Sequence, residues 1–187
     1  MSTIIDSYSE SNSNANVVIR EGVQLSIGQS FTANNSVLSS CKFYLQKTGS
    51  PTGNATATIY AHSGTYGTDS IPTGSALATS ENIDVSTFPI SNQLIEFTFT
   101  GENKITLTNE TYYIVTVNYS GGDSSNCIYL GEDTSSPTSS GNYCQYTTEL
   151  GWVGVGSFAA CFYVYGDKIL ASTTGISTIT GLSTITL

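Results

Sequence analysis

Charge is scarce in this chain: only 10% of its 187 residues are Asp, Glu, Lys or Arg. Five basic residues stand against fourteen acidic ones, a formal charge of −9. A surface this acidic repels phosphate backbones, which excludes the usual electrostatic route to nucleic acid. Histidine is almost missing too, with His62 the single copy, so acid-base chemistry near neutral pH has one ring to pass through. No Gly-x-Ser-x-Gly elbow accompanies it. His62 reads as a polar residue at a strand end before Ser63-Gly64, and no catalytic residue is assigned.

Long apolar runs are absent, so no segment reaches transmembrane length and no membrane insertion is expected. The segment from Met1 to Asp6 shows no basic region followed by an apolar stretch and a small-residue cleavage site. The expectation is a chain made in a cytoplasm, or one that leaves by a leaderless route such as virion release. Cysteine is limited to Cys41, Cys127, Cys144 and Cys161, whose wide spacing lacks the short paired intervals of a zinc site. Cys41 alternates with Phe43 and Leu45, and Cys161 adjoins Phe162, so buried free thiols are favoured over a disulfide framework.

What remains is rich in Ser, Thr, Asn and Gly, which favours strands and tight turns over helices. Strand-like stretches fall at 16–20, 23–32, 37–46, 55–62, 76–84, 93–100, 104–108, 111–120, 126–131, 142–148 and 159–165. Glycine and proline at 49–54 and 63–68 mark surface loops between them. Within 111–120, Tyr113, Val115, Val117 and Tyr119 share one side, while Tyr112, Ile114, Thr116 and Asn118 share the other. The expected fold is all-β: a two-sheet antiparallel sandwich, jelly-roll-like, over 17–167. Residues 1–16, rich in Ser and Asn, read as an irregular N-terminal arm.

Residues 168–187 read as an extended C-terminal tail. Within it, Gly-Ile-Ser-Thr-Ile-Thr is followed at once by Gly-Leu-Ser-Thr-Ile-Thr over 175–186. Ile176, Ile179, Leu182 and Ile185 recur every third residue, a period matching neither a strand nor a helix. Two copies cannot form a core alone, so the tail is either an assembly contact with another chain or a linker.

Several phrases follow one another in order: Ile27-Gly28-Gln29-Ser30-Phe31-Thr32, Phe43-Tyr44-Leu45 with Gly49-Ser50-Pro51-Thr52-Gly53, and Ile59-Tyr60-Ala61. Pro72-Thr73-Gly74-Ser75, Phe97-Thr98-Phe99, Thr111-Tyr112-Tyr113, Tyr119-Ser120-Gly121-Gly122-Asp123 and Phe162-Tyr163-Val164-Tyr165-Gly166 follow. Taken together, residues 19–166 resemble the choice-of-anchor R β-sandwich domains of bacterial surface proteins and of phage and other viral exterior proteins. The resemblance implies a jelly-roll-like accessory module at an exterior surface, with no catalytic residues to carry over and no particular ligand.

Three sets of residues are candidates for binding. Tyr66, Tyr129, Tyr143, Tyr146 and Trp152 fall in loops or strand edges, with Asn126, Asn142 and Gln145 interleaved, the mixture of flat rings and amides that suits carbohydrate. No cofactor is required, and calcium is the one candidate ion, with Asp123, Glu132, Asp133 and Asp167 as its hard oxygen ligands, although no EF-hand spacing is present. Glu132 and Asp133 form the only adjacent acidic pair considered for glycoside hydrolysis. Neighbours on a strand point to opposite faces, so exposed acidic loop residues are the expected reading. The leading expectation is a non-enzymatic virion structural protein, of capsid-decoration or fibre type, attached to itself or to other virion proteins through its termini. The alternative is a carbohydrate-binding adhesion or receptor-recognition module, extracellular or on a cell surface.

Overall fold

The computed structural model describes residues 2–169. The expected assembly contact at Ile176, Ile179, Leu182 and Ile185 lies outside the described residues. The described residues form fifteen strands in order: β1 (Ser2–Tyr8), β2 (Ala15–Ile19), β3 (Ser26–Thr32), β4 (Ser36–Thr48), β5 (Asn54–Ser63), β6 (Ile71–Thr79), β7 (Ile83–Asp84) and β8 (Gln93–Thr98). Then come β9 (Thr106–Leu107), β10 (Tyr112–Asn118), β11 (Cys127–Asp133), β12 (Tyr143–Thr147), β13 (Gly151–Val155), β14 (Ala159–Ala160) and β15 (Phe162–Lys168). Every ladder pair is antiparallel. Among the described residues, no helix is long and apolar enough to cross a membrane.

Two sheets result. An eight-stranded sheet runs β1-β15-β4-β11-β14, with β2 beside β11 and with β8 and β9 on β4. A seven-stranded sheet runs β13-β12-β3-β10-β5-β6, with β7 on β5. They pack face to face as a sandwich, and residues alternate between core and exterior as the pleat requires. Phe31, Phe43, Phe88, Phe97, Phe99 and Phe162 are all buried, and Phe43 meets Phe97 edge-on at 6.3 Å. Phenylalanine has no polar tip to keep wet and so fills the core, where Tyr8, Tyr113, Tyr119 and Tyr143 join it. All four cysteines are free and buried.

The segment expected to be an irregular arm is instead largely ordered as strand. β1 pairs along β15 from Ser2 opposite Asp167 to Tyr8 opposite Phe162, with a bulge between Ile4 and Asp6. Composition misleads here because the ladder uses backbone groups, which Ser and Asn supply as well as Val. Side chains complete the anchorage. The Tyr8 hydroxyl donates to Asp133 Oδ2 at 2.6 Å, Asn14 Nδ2 donates to Asp133 Oδ1 at 2.9 Å, and Asp6 Oδ2 accepts the Thr32 N–H at 3.0 Å.

Candidate functional site

The outer face of the seven-stranded sheet carries the site, and its construction begins at β10. Val115 and Val117 join the core, so Ile114, Thr116 and Asn118 project outward. Both faces are nonetheless covered at the centre of this strand, because Ile114 and Thr116 are fully buried as well. The register builds transverse rows across the sheet. Asn118 lies opposite Ser26 and Thr56, and Ser26 opposite Tyr146, which in turn faces Trp152. The next row sets Thr58, Thr116, Gly28, Cys144 and Gly154 in line.

Small residues in that second row are required by contact. A Cβ on Gly28 would stand 2.9 Å from Cys144 Sγ, closer than real Cβ atoms tolerate, and 3.0 Å from Thr116 Cγ2. Trp152 makes ring contacts with Tyr146 on one side, at 5.4 Å and 56°, and with Tyr60 on the other, at 6.3 Å and 62°. Beside the rings lies a groove of about 310 Å³, lined by Ser26, Asn54, Thr56, Asn118, Ser120 and Tyr146 among others. Asn118 is held firmly: its Nδ2 donates to Thr58 Oγ1 at 2.9 Å and to Thr56 O at 3.3 Å, while its Oδ1 accepts from Thr116 Oγ1 at 3.1 Å.

The β5–β6 loop packs against the neighbouring part of this face. A Cβ on Gly154 would meet the Asp69 backbone at 2.7 Å, and one on Gly156 would meet Thr68 O at 2.8 Å, so β13 takes the loop backbone directly against its own. Buried Asn142 clamps the far end, accepting the Ser70 N–H at 3.0 Å and donating to Ser70 O at 3.3 Å. Tyr66, at the loop centre, stacks on Tyr112 at 3.9 Å and 9°, and its hydroxyl accepts from Thr32 Oγ1 at 3.0 Å.

His62 Nε2 is 2.9 Å from Ser70 Oγ, a distance that would suit a nucleophile and its base. Ser70 is fully buried, so no substrate carbonyl reaches that hydroxyl, and the pair serves to hold the loop down. Burial also lowers the His62 pKa from its ordinary value, against an opposing pull from Asp69.

Of the five aromatic residues singled out for sugar binding, the fold brings Tyr146 and Trp152 together and sets the others apart. Tyr66 shares the outer face but is committed to Tyr112. Tyr143 is a correction: it is 1% exposed and lies in the core, edge-on to Phe158 at 6.0 Å, because odd-numbered residues of β12 point inward. Tyr129 belongs to the other sheet, opposite Val18 and Gln46. The interleaved amides are also otherwise engaged: Asn142 clamps the loop, Asn126 Nδ2 contacts both Asp123 oxygens, and Gln145 accepts from Tyr143 and Gln24. Tyr60, Ser26, Asn54, Thr56 and Asn118 were not singled out. Outward alternation of Thr116 and Asn118 was the available signal, but cross-strand register was needed to place Tyr146 beside them.

The carboxylates named for calcium are dispersed. Asp123 accepts from the Ser125 and Asn126 backbone N–H groups in an exposed turn, and the Asn126 side chain, with these, holds its pKa low. Asp167 lies in β15 opposite Ser2 and Val37. Glu132 and Asp133 do point to opposite faces, but neither is an exposed loop residue, being 7% and 6% exposed within β11. Asp133 is depressed by hydrogen bonds from Ser135, Tyr8 and Asn14. Glu132 has no partner for Oε2, and burial pushes its pKa up to about 7. Among the described residues, no group of three or more His, Cys, Asp or Glu side chains is arranged to hold a metal ion. In comparisons with known proteins, no family model, curated protein or solved structure matches this chain.

Proposed function

We propose that this chain is a non-enzymatic exterior module that recognises carbohydrate through the outer face of its seven-stranded sheet. One observation carries the reading: Tyr146 lines the 310 Å³ groove and also packs its ring against Trp152, so a ring surface and a row of hydroxyl and amide groups converge on one place. Sugars present apolar C–H faces to rings and hydroxyls to such polar groups. The resemblance to exterior β-sandwich domains supports the same placement. A glycan array is the test: reproducible hits that Tyr146→Ala and Trp152→Ala weaken uphold the reading, and a blank array at high protein concentration removes it.

The second reading is a virion subunit of capsid-decoration or fibre type, and the tandem repeat at 175–186 favours it. Apolar residues at a fixed spacing, following β15 in the sequence, are suited to contact with another chain. Removing residues 170–187 and measuring mass in solution and attachment to particles tests that role. Unchanged assembly refutes it.

A further inference from the structure

Resting on the carbohydrate reading above, we infer that the groove takes a single chain of uncharged sugars, in preference to acidic glycans or the flat face of a crystalline polysaccharide. Charge is the first argument. Every residue lining the groove is uncharged, and none of the five basic residues is among them: Arg20 donates to Glu21 O, Lys42 pairs with Glu96 at 3.7 Å, Lys47 donates to Ser86 O, and Lys104 and Lys168 lie elsewhere. An adjacent hollow of about 220 Å³ contributes Glu149 to the same end of the sheet. Uronate, sialate or sulfate groups would find no guanidinium or ammonium among the groove's own lining residues, the Arg20 guanidinium lying instead 4.0 Å from the Cβ position of Gly22 in the adjacent hollow that also holds Glu149.

Unused hydrogen-bonding capacity is the second argument. Among the described residues, the side-chain polar groups of Ser26, Asn54, Thr56 and Tyr146 make no hydrogen bond. They offer both donors and acceptors at the groove surface, the pattern that matches sugar hydroxyls, which also donate and accept. Ring geometry is the third. Trp152 is inclined 56° to Tyr146 and 62° to Tyr60, so the three rings share no plane. A flat crystal face meets one of them at most, whereas a single twisted chain can turn successive sugar faces to successive rings.

Titration calorimetry with the full chain separates the alternatives. The probes are neutral hexasaccharides of the cello-, malto-, manno-, xylo- and chito- series, hexagalacturonate and a heparin-derived hexasaccharide, with microcrystalline cellulose and chitin in a pull-down. The expected result is binding of at least one neutral hexasaccharide, insensitive to salt, and weakened about tenfold by Tyr146→Ala. Asn54→Ala should weaken it by a smaller factor, and unchanged circular dichroism confirms that both variants fold. Binding of the acidic probes or of the insoluble polymers that is lost in Tyr146→Ala overturns the neutral single-chain assignment while leaving carbohydrate recognition standing. Failure of every probe overturns both.

Discussion

Glu132→Gln should make the protein more stable relative to the native chain as pH rises. Glu132 stands in β11 on the same side as the core residues Ile128 and Leu130, 7% exposed, with Oε2 unpartnered. Burial disfavours the charged carboxylate, raising the pKa from the ordinary 4.5 to about 7. Below pH 4.5 the carboxyl is neutral in both folded and unfolded chains and contributes no pH dependence. Between 4.5 and 7 the unfolded chain releases its proton first, so the folded state loses stability with each step upward. Above 7 both states are ionised and the full penalty remains. At about 1.4 kcal/mol per pH unit, this gap sets a ceiling of about 3 kcal/mol, and residual water contact reduces it to about 1–3 kcal/mol. Urea unfolding of both proteins from pH 4 to 8.5 measures it. Burying the glutamine amide adds a constant offset, so the decisive quantity is how the difference between the two proteins changes with pH. A difference independent of pH would refute the placement of Glu132 in a dry site.

Gly28→Ala should destabilise by about 1–3 kcal/mol through overpacking against Cys144, Thr116 and Ile114. Thermal unfolding checks this, and fluorescence of the sole tryptophan, Trp152, reports any disturbance of the neighbouring rings. Tyr8→Phe removes the 2.6 Å hydrogen bond to Asp133 and leaves that buried carboxylate short of a donor, which should cost about 1–3 kcal/mol and speed amide exchange in β1. The four thiols should resist a water-soluble thiol reagent in the folded state and all react after denaturation, since each is buried and burial pushes Cys41 and Cys144 well above the usual thiol range. In NMR titration His62 should protonate below its ordinary 6.5, because burial opposes the charge. Its contribution to stability is therefore lost as pH falls through that lowered value.

Much of the architecture is local and therefore legible. The alternation in Tyr112-Tyr113-Ile114-Val115-Thr116-Val117-Asn118 specifies a strand and its two faces without reference to the rest of the chain. Gly49 ends one strand at φ 67°, where a Cβ would stand 2.2 Å from Ser125 O, and its loop was readable from glycine and proline alone. β1 was not legible, since its stability comes from pairing with β15, more than 150 residues away along the chain, and from the Asp133 carboxylate. β13 escaped for a similar reason: Gly151-Trp152-Val153-Gly154-Val155 has two glycines, one of them demanded by the loop from β5 that packs on it.

Composition and periodicity by themselves determined that the chain is acidic, all-β and built of antiparallel sheets, because charge balance and a two-residue period act within single segments. Which tyrosines face outward was settled only by tertiary structure. Tyr143 and Tyr146 are three residues apart in one strand, so the pleat sends one into the core and the other to the surface, and no composition distinguishes them. Placing Tyr146 between Trp152 and Asn118 required the cross-strand register of β13, β12, β3 and β10, and register depends on contacts that only the folded chain brings together.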